Sequence, residues 1–274
     1  TTDRVSAFDH VLGSIPFKGQ ILTEIANFWF DRTKDIVPNH IISSPDPQVL
    51  IAKKAKTLPV EVIVRGYITG SLWREYEQGI NGQYGFMLPN GLKKNQKFDS
   101  PILTPSTKAE YGEHDEPISR SKIVGGLVEE SIYSLAESYA LKLFLAGQEW
   151  AEKQGLILVD TKYEFGIVNG ELIVIDEIHT PDSSRYWVSS EYENRYNKNS
   201  DQKMLDKENI RQWLIARGFS GNGTPPPLTD EIRITLAERY IELYNTLTGK
   251  EFKPQIGDVK TRIDKNLEAA GIYA

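Results

Sequence analysis

The chain has 274 residues with 32 Lys and Arg against 38 Asp and Glu, a formal net charge of −6. That balance disfavours a nucleic-acid binder held by a broad basic face, because phosphate neutralisation supplies such affinity. An apolar share of roughly 47%, Gly included, is ordinary for a globular protein. Zero Cys excludes disulfides, thiolate metal sites and a Cys nucleophile, and suits a reducing compartment.

No apolar run approaches the roughly 20 residues that span a bilayer, and no basic-then-apolar leader is visible. At this length a sizeable core is expected, in two domains or one large one. The chain opens Thr1-Thr2-Asp3-Arg4 without an initiator Met, so its encoded start is expected upstream. Leu22, Ile25, Ala26 and Trp29 recur at helical spacing in a segment that stops before Pro38. Val49 to Ala52 and Val60 to Arg65 are short, β-rich and bounded by Pro and Gly. In the second of these, Val60, Val62 and Val64 share one face, and Glu61, Ile63 and Arg65 the other. From 84 to 120 the chain reads as a long loop.

A long helix is predicted through Ile132, Leu135, Tyr139, Leu143, Phe144 and Trp150, closing near Gly155, and Leu156 to Val159 reads as a buried strand. Asn169-Gly170 between two apolar runs predicts a hairpin with a type I′ turn. Its two-residue loop sets Lys162 opposite Glu177 and Tyr163 opposite Asp176. Beyond 200 the pattern is helical: Ile232, Leu236, Tyr240, Leu243 and Leu247 form a stripe ending at Gly249, and Val259, Ile263 and Leu267 suggest a last helix after the rigid Pro225-Pro226-Pro227. Strands and helices do not alternate as regular βαβ units, so the expected class is α+β with a mainly antiparallel sheet and flanking helices.

Three clusters carry chemistry. Asp160-Thr161-Lys162-Tyr163-Glu164 and Asp176-Glu177 put carboxylates and a lysine on adjacent strands, with Asp160, Lys162 and Glu164 on one face. Burying such acids is costly without a compensating cation, and Mg²⁺ bridging substrate phosphates answers that cost. The neighbouring apolar runs make a fully solvated sheet face the weaker alternative. Thr180-Pro181-Asp182-Ser183-Ser184-Arg185 offers hydroxyls and an Arg fork suited to phosphate or carboxylate. Arg65-Gly66-Tyr67-Ile68-Thr69-Gly70-Ser71 places an Arg at a strand end and a Ser where an anion-favouring helix can start. Thr104 to Asp115, with Lys108 and His114, reads as a substrate-contacting loop, in which His114 is expected to pack or hydrogen-bond rather than act as a base.

Together these stretches resemble the SAICAR synthetases of purine biosynthesis. Leu58 to Ser71 looks like the family's first signature and Leu158 to Gly166 like its second; Thr2 to Asp9 and Asp176 to Arg185 match as well. The likeness runs in consistent order from residue 1 to about 247. It implies a two-lobed fold similar to ATP-grasp ligases and protein kinases, with 1–65 as a β-rich N-terminal lobe and 66–274 as a larger α+β lobe. It also implies an ATP-dependent ligase: ATP phosphorylates the carboxylate of the ribonucleotide CAIR, and the amine of L-aspartate then displaces phosphate. Alternatives are another ATP-dependent carboxylate-amine ligase, or a non-catalytic nucleotide-binding protein. No nucleic acid or membrane partner is expected, and the protein is expected to be a cytoplasmic monomer or small homo-oligomer.

By the same resemblance, Arg65, Ser71, Ser184, Arg185 and Arg211 bind substrate, the first two and Arg185 gripping the CAIR phosphate and ribose. The resemblance also implies catalytic roles for Lys108, Asp115, Asp160 and Lys162: Lys108 and Asp115 near the imidazole carboxylate, Asp115 and Asp160 as candidates for a metal bridging it, and Lys162 as a neutraliser of phosphate charge. Glu164 and Asp176 hold the Mg²⁺ of ATP, and Ala52, Lys53, Lys54 and Ala55 form the linker that meets the adenine edge. Asp206 and Lys207 mark a helix start near the substrates. Strict hairpin register puts Glu164 and Asp176 on opposite faces, so a shared metal is expected to need a β-bulge, or Glu177 in place of Asp176. The family's Gly-Lys hairpin, which covers the ATP phosphates, normally precedes the Thr-Asp-Arg segment and is expected upstream.

Overall fold

The computed structural model describes residues 1–8, 10–108 and 115–272. His114 and the stretch 109–114 of the predicted loop lie outside them. Elements follow in chain order: β1 (Arg4–Ala7), β2 (His10–Ser14), α1 (Lys18–Thr33), β3 (Ile41–Asp46), β4 (Val49–Ala52), β5 (Lys56–Thr57), β6 (Val60–Tyr67), α2 (Gly70–Glu77), β7 (Lys97–Leu103) and β8 (Ser106–Thr107). After one turn, α3 (Arg120–Lys122), which runs into a π-helical turn (Ile123–Leu127), come α4 (Glu130–Lys153), β9 (Leu156–Val168), β10 (Glu171–Ile175), β11 (Ser184–Val188), α5 (Ser189–Asn197), α6 (Glu208–Ile215), α7 (Asp230–Thr248) and α8 (Val259–Ala269).

The seven-stranded antiparallel sheet is organised around β9, a 13-residue strand. One edge of β9 pairs with β10 and β11, the other with β6 and β5. Val62 lies opposite Tyr163, Ile63 opposite Lys162 and Arg65 opposite Asp160. Strand alternation therefore sends Val60, Val62, Val64, Tyr163 and Phe165 to one face, where all are buried in the main core. The opposite face carries Glu61, Arg65, Asp160, Lys162 and Glu164, which build the site. Each fully buried aliphatic or aromatic side chain contributes about 1.5–3 kcal/mol to holding the two faces apart.

The core face is covered by α4, which buries Tyr133, Ala136, Ala140, Leu143, Phe144, Gly147 and Ala151 at helical spacing. Of the predicted stripe, Leu143 and Phe144 are buried and Ile132, Tyr139 and Trp150 pack against the core, whereas Leu135 is exposed and small residues take the closest approach to the sheet. Close approach explains the choice, because a Cβ at Gly147 would sit 2.6 Å from the His179 ring and 2.7 Å from Leu158. The predicted α7 stripe is observed, closed by Gly249 at φ 69°. The 84–120 segment is less irregular than expected, since it contains β7 and β8.

Asn169 and Gly170 adopt φ 52° and 84°, as a type I′ turn requires, and the hairpin keeps the expected register from Glu171↔Val168 to Ile175↔Glu164. The pairing then stops, so Lys162 does not face Glu177 and Tyr163 does not face Asp176. Asp176 takes φ 64° and turns out of the ladder, while the Lys162 N–H donates to the Ser183 carbonyl at 2.9 Å.

Candidate active site

Two antiparallel registers create a row of charge across three strands. Asp160 lies opposite Arg65 on β6 and opposite Arg185 on β11. Its Oδ2 accepts from Arg185 Nη1 at 2.6 Å and from Arg65 Nη1 at 3.4 Å. Arg65 is further fixed by donating from Nε to Thr104 Oγ1 at 2.7 Å and from Nη2 to Ser71 Oγ at 3.3 Å. Ser71 stands in the first turn of α2, the helix start expected from the sequence. The backbone there leaves room for the second fork: Gly70 has φ 59°, and a Cβ on it would meet the Arg185 guanidinium at 2.4 Å. Arg185 also reaches Glu208 at 3.3 Å, and Arg211 reaches the same carboxylate at 3.1 Å. Burial opposes the Arg185 charge, but Asp160 and Glu208 outweigh it and hold the guanidinium protonated. Ser184 is buried beside this row, its hydroxyl donating to Thr161 Oγ1 at 2.7 Å.

Two residues along the same face of β9 the chemistry changes from arginine to lysine. Lys162 Nζ donates to Glu61 at 2.6 Å and to Glu164 at 2.7 Å. Lys108 adds a second ammonium to Glu164. Burial works against ionisation of Glu164, yet Lys162 and Lys108 hold its carboxyl below the usual range. Asp176 moves the other way, raised first by burial and then by the charge of Glu164. The two carboxylates are therefore near enough to feel each other's charge. No bulge intervenes: Asp176 comes one residue after the last pair, Ile175↔Glu164, and its φ of 64° takes the chain out of the ladder beside Glu164. Glu177, the reserve ligand, is half-buried, accepts from Thr180 Oγ1 at 2.8 Å, and is pushed up to about 7 by burial and by Asp182 and Asp176.

Between these ends lies a cavity of about 560 Å³, whose walls include Glu61, Arg65, Ser71, Asp115, Asp160, Lys162, Ser184, Arg185, Lys207, Glu208 and Arg211. Asp206 anchors the start of α6 beneath it, accepting from Glu208 N at 2.7 Å and from Tyr186 N at 3.0 Å. Burial raises Asp206 to about 7 despite the opposing charge of Arg185. Glu164, Asp176 and Lys108 form the adjoining cluster along β9 rather than the cavity wall. Ala52 to Ala55 stand apart from the cavity too: Lys53 N donates to His40 O at 2.8 Å, Lys53 and Lys54 are exposed, and Ala55 packs against Gly166 of β9.

Among the described residues, no three or more Asp, Glu or His are gathered to hold a metal by themselves. The Glu164–Asp176 pair nonetheless suits Mg²⁺, which keeps waters and takes one or two carboxylates plus substrate phosphates. Their mutual repulsion, seen in the raised Asp176, is what a cation would relieve. Sequence reasoning did not include Glu61, Arg74 or Glu208 among the site residues. Glu61 shares a strand face with Arg65, and Glu208 falls within the segment Asp206 to Arg211, so both carried a signal. Lys18, which pairs with Asp182 at 2.8 Å across the fold, carried none.

Residues 1–226 match the family model for SAICAR synthetase. A phosphoribosylaminoimidazole-succinocarboxamide synthase of Bacteroides fragilis is 49% identical over 273 residues, covering 98% of this chain and 87% of that protein. A SAICAR synthase from Saccharomyces cerevisiae, solved in complex with SAICAR, superposes with a TM-score of 0.80 at 36% identity, over 92% of this chain and 89% of that one. A type-2 SAICAR synthetase in complex with ADP superposes with a TM-score of 0.68 at 26% identity, over 92% and 90%.

Proposed function

The chain belongs to the SAICAR synthetase family, and from that premise we propose a role for each part of its cavity. It is an ATP-dependent ligase that joins L-aspartate to the carboxylate of CAIR in purine biosynthesis. Its carrying observation is the single face of β9, on which Glu164, Lys162 and Asp160 follow one another. Four residues of strand span about 13 Å, the length scale of a nucleoside monophosphate.

On this reading the arginine row binds the CAIR phosphate. Arg65, Ser71, Ser184 and Arg185, with Arg211 beside them, present donors already oriented by Asp160 and Glu208, so little ordering is left for the moment of binding. The nucleotide phosphates lie at the lysine end, with Glu164 and Asp176 holding Mg²⁺ and Ala52 to Ala55 meeting the adenine. When bound, the ion neutralises charge on the phosphate oxygens.

The CAIR carboxylate attacks the γ-phosphorus, and ADP leaves with the broken P–O bond pair. Lys162 and Lys108 offset the negative charge that gathers where these anions meet. Asp115 borders the reacting carboxylate from the cavity wall, whereas Asp160, held between Arg65 and Arg185, orients the phosphate grip. The aspartate amine then attacks the acyl carbon, inorganic phosphate leaves, and the nitrogen gives up its proton. Every step places anions against anions, so the protein's main contribution is position and charge.

Among the described residues no helix is long and apolar enough to cross a membrane. We further propose that the two functional lobes divide near residues 1–65 and 66–274, although β6 spans that divide. The working protein is proposed to be a cytoplasmic monomer or small homo-oligomer acting on small molecules, without nucleic acid or membrane. ADP release measured with ATP, Mg²⁺, CAIR and L-aspartate, omitting one component at a time, tests the reading. Turnover is expected to need all four, and undiminished product formation without aspartate would overturn it.

A further inference from the structure

An amine nucleophile that carries two carboxylates needs cations that the site's own acids have not already engaged. Arg65, Lys162, Arg185 and Arg211 each contact an acid of the wall at 3.4 Å or less. Lys207 differs. Among the described residues its one ion pair is with Asp182 Oδ2 at 3.7 Å, beyond hydrogen-bond range. That oxygen is already held by Lys18 Nζ at 2.8 Å, and the other accepts from the Tyr240 hydroxyl at 2.9 Å. Asp182 is thus satisfied without Lys207, a cavity-wall residue 20% exposed whose ammonium makes no hydrogen bond among the described residues.

Its position is also set. Lys207 N donates to Pro181 O at 3.4 Å, which ties the start of α6 to the turn that follows Asp176 and Glu177. Among the described residues Arg74 is the other wall cation without a side-chain hydrogen bond; it belongs instead to the arginine end, where its charge meets Glu208, Arg185 and Arg211. Of the two uncommitted cations, Lys207 is therefore the one beside the turn that leads out of the carboxylate pair, where the acyl group must form.

We propose that Lys207 reads a carboxylate of the incoming L-aspartate, with the Lys18–Asp182–Tyr240 cluster holding the turn it faces. The inference rests on the ligase reading and names the residue that selects its amine substrate.

Steady-state kinetics of Lys207→Met, with each substrate varied in turn, provide the test. The KM for L-aspartate is expected to rise about 10- to 100-fold, the loss of one charge-assisted hydrogen bond, while the KM values for CAIR and ATP stay within about twofold. Succinate, a dicarboxylate without the amine, should lose inhibition by the same factor, whereas ribose 5-phosphate, a probe of the arginine end, should not. An unmoved aspartate KM, or an equal rise for all three substrates in a folded variant, overturns the proposal. If Lys207→Met does not fold, Lys207→Gln is read by the same criteria. Wild-type protein that releases no ADP with all substrates present fails the ligase reading itself, whereas turnover with unchanged aspartate selectivity in the variant fails this inference alone.

Discussion

The two ends of the β9 face hold charge in opposite ways. At the arginine end, Asp160 lies between Arg65 and Arg185 because antiparallel register puts the three residues side by side. Planar forks, short donors and buried stems leave that row one arrangement. At the lysine end, Lys162 is shared between Glu61 and Glu164, Lys108 also serves Glu164, and Asp176 is raised against its neighbour. Ammonium groups on flexible stems can exchange partners without breaking a fixed geometry. The contrast separates a grip on a group that does not change during the reaction from a compartment whose charges must move with a transferring phosphoryl group.

Removing one carboxylate from the lysine end tests the contrast most severely. Asp176→Asn retains the shape of the turn but deletes a charge from the only part of the face that is proposed to bind the metal. ATP-dependent turnover is expected to fall about 10²- to 10³-fold, with CAIR affinity by calorimetry unchanged. Wild-type turnover in a folded variant would break the assignment of the two ends. A smaller effect is expected from Arg185→Lys, since a point ammonium cannot satisfy Asp160 and Glu208 and also bind phosphate as a fork does. There the KM for CAIR should rise about 10- to 100-fold with little change in kcat. Loss of kcat with an unchanged CAIR KM would mean that the arginine row acts in the chemistry rather than in the grip.

Much of this arrangement was legible because one face of the sheet is apolar. Val60, Val62 and Val64 alternate with Glu61 and Arg65, and alternation alone assigns the charged residues to a common face. Asn169-Gly170 likewise announced both the turn and its register. Two features resisted for local reasons. β7 contains Pro101, which has no N–H for a ladder, and it lies at the edge of the sheet, so it reads as loop. Asp176 sits at positive φ just beyond the ladder, a conformation uncommon for a residue other than Gly, so strict alternation does not fix where its side chain lies. Other links, such as Lys18 to Asp182, join residues far apart in the chain, and no periodicity marks them.

The last expected effect is on stability and concerns how firmly the arginine end is preset. Asp206 is buried under it, fixes the Glu208 and Tyr186 N–H groups, and is raised from 3.8 to about 7 chiefly by burial. Between those two values the folded protein binds more of this proton than the unfolded chain does. Stability from this group is therefore full below pH 3.8 and declines as pH rises through about 7. Glu208 and Asp182, held below their ordinary values by neighbouring cations, contribute in the opposite sense and lose stability as pH falls. The net slope mixes these groups, so the informative quantity is the difference between wild type and Asp206→Asn in urea unfolding at several pH values. The wild type should lose on the order of 4 kcal/mol relative to the variant on going from acid to neutral pH. A pH-independent difference would show that the two N–H bonds keep Asp206 ionised throughout, so that the arginine row rests on a permanent charge.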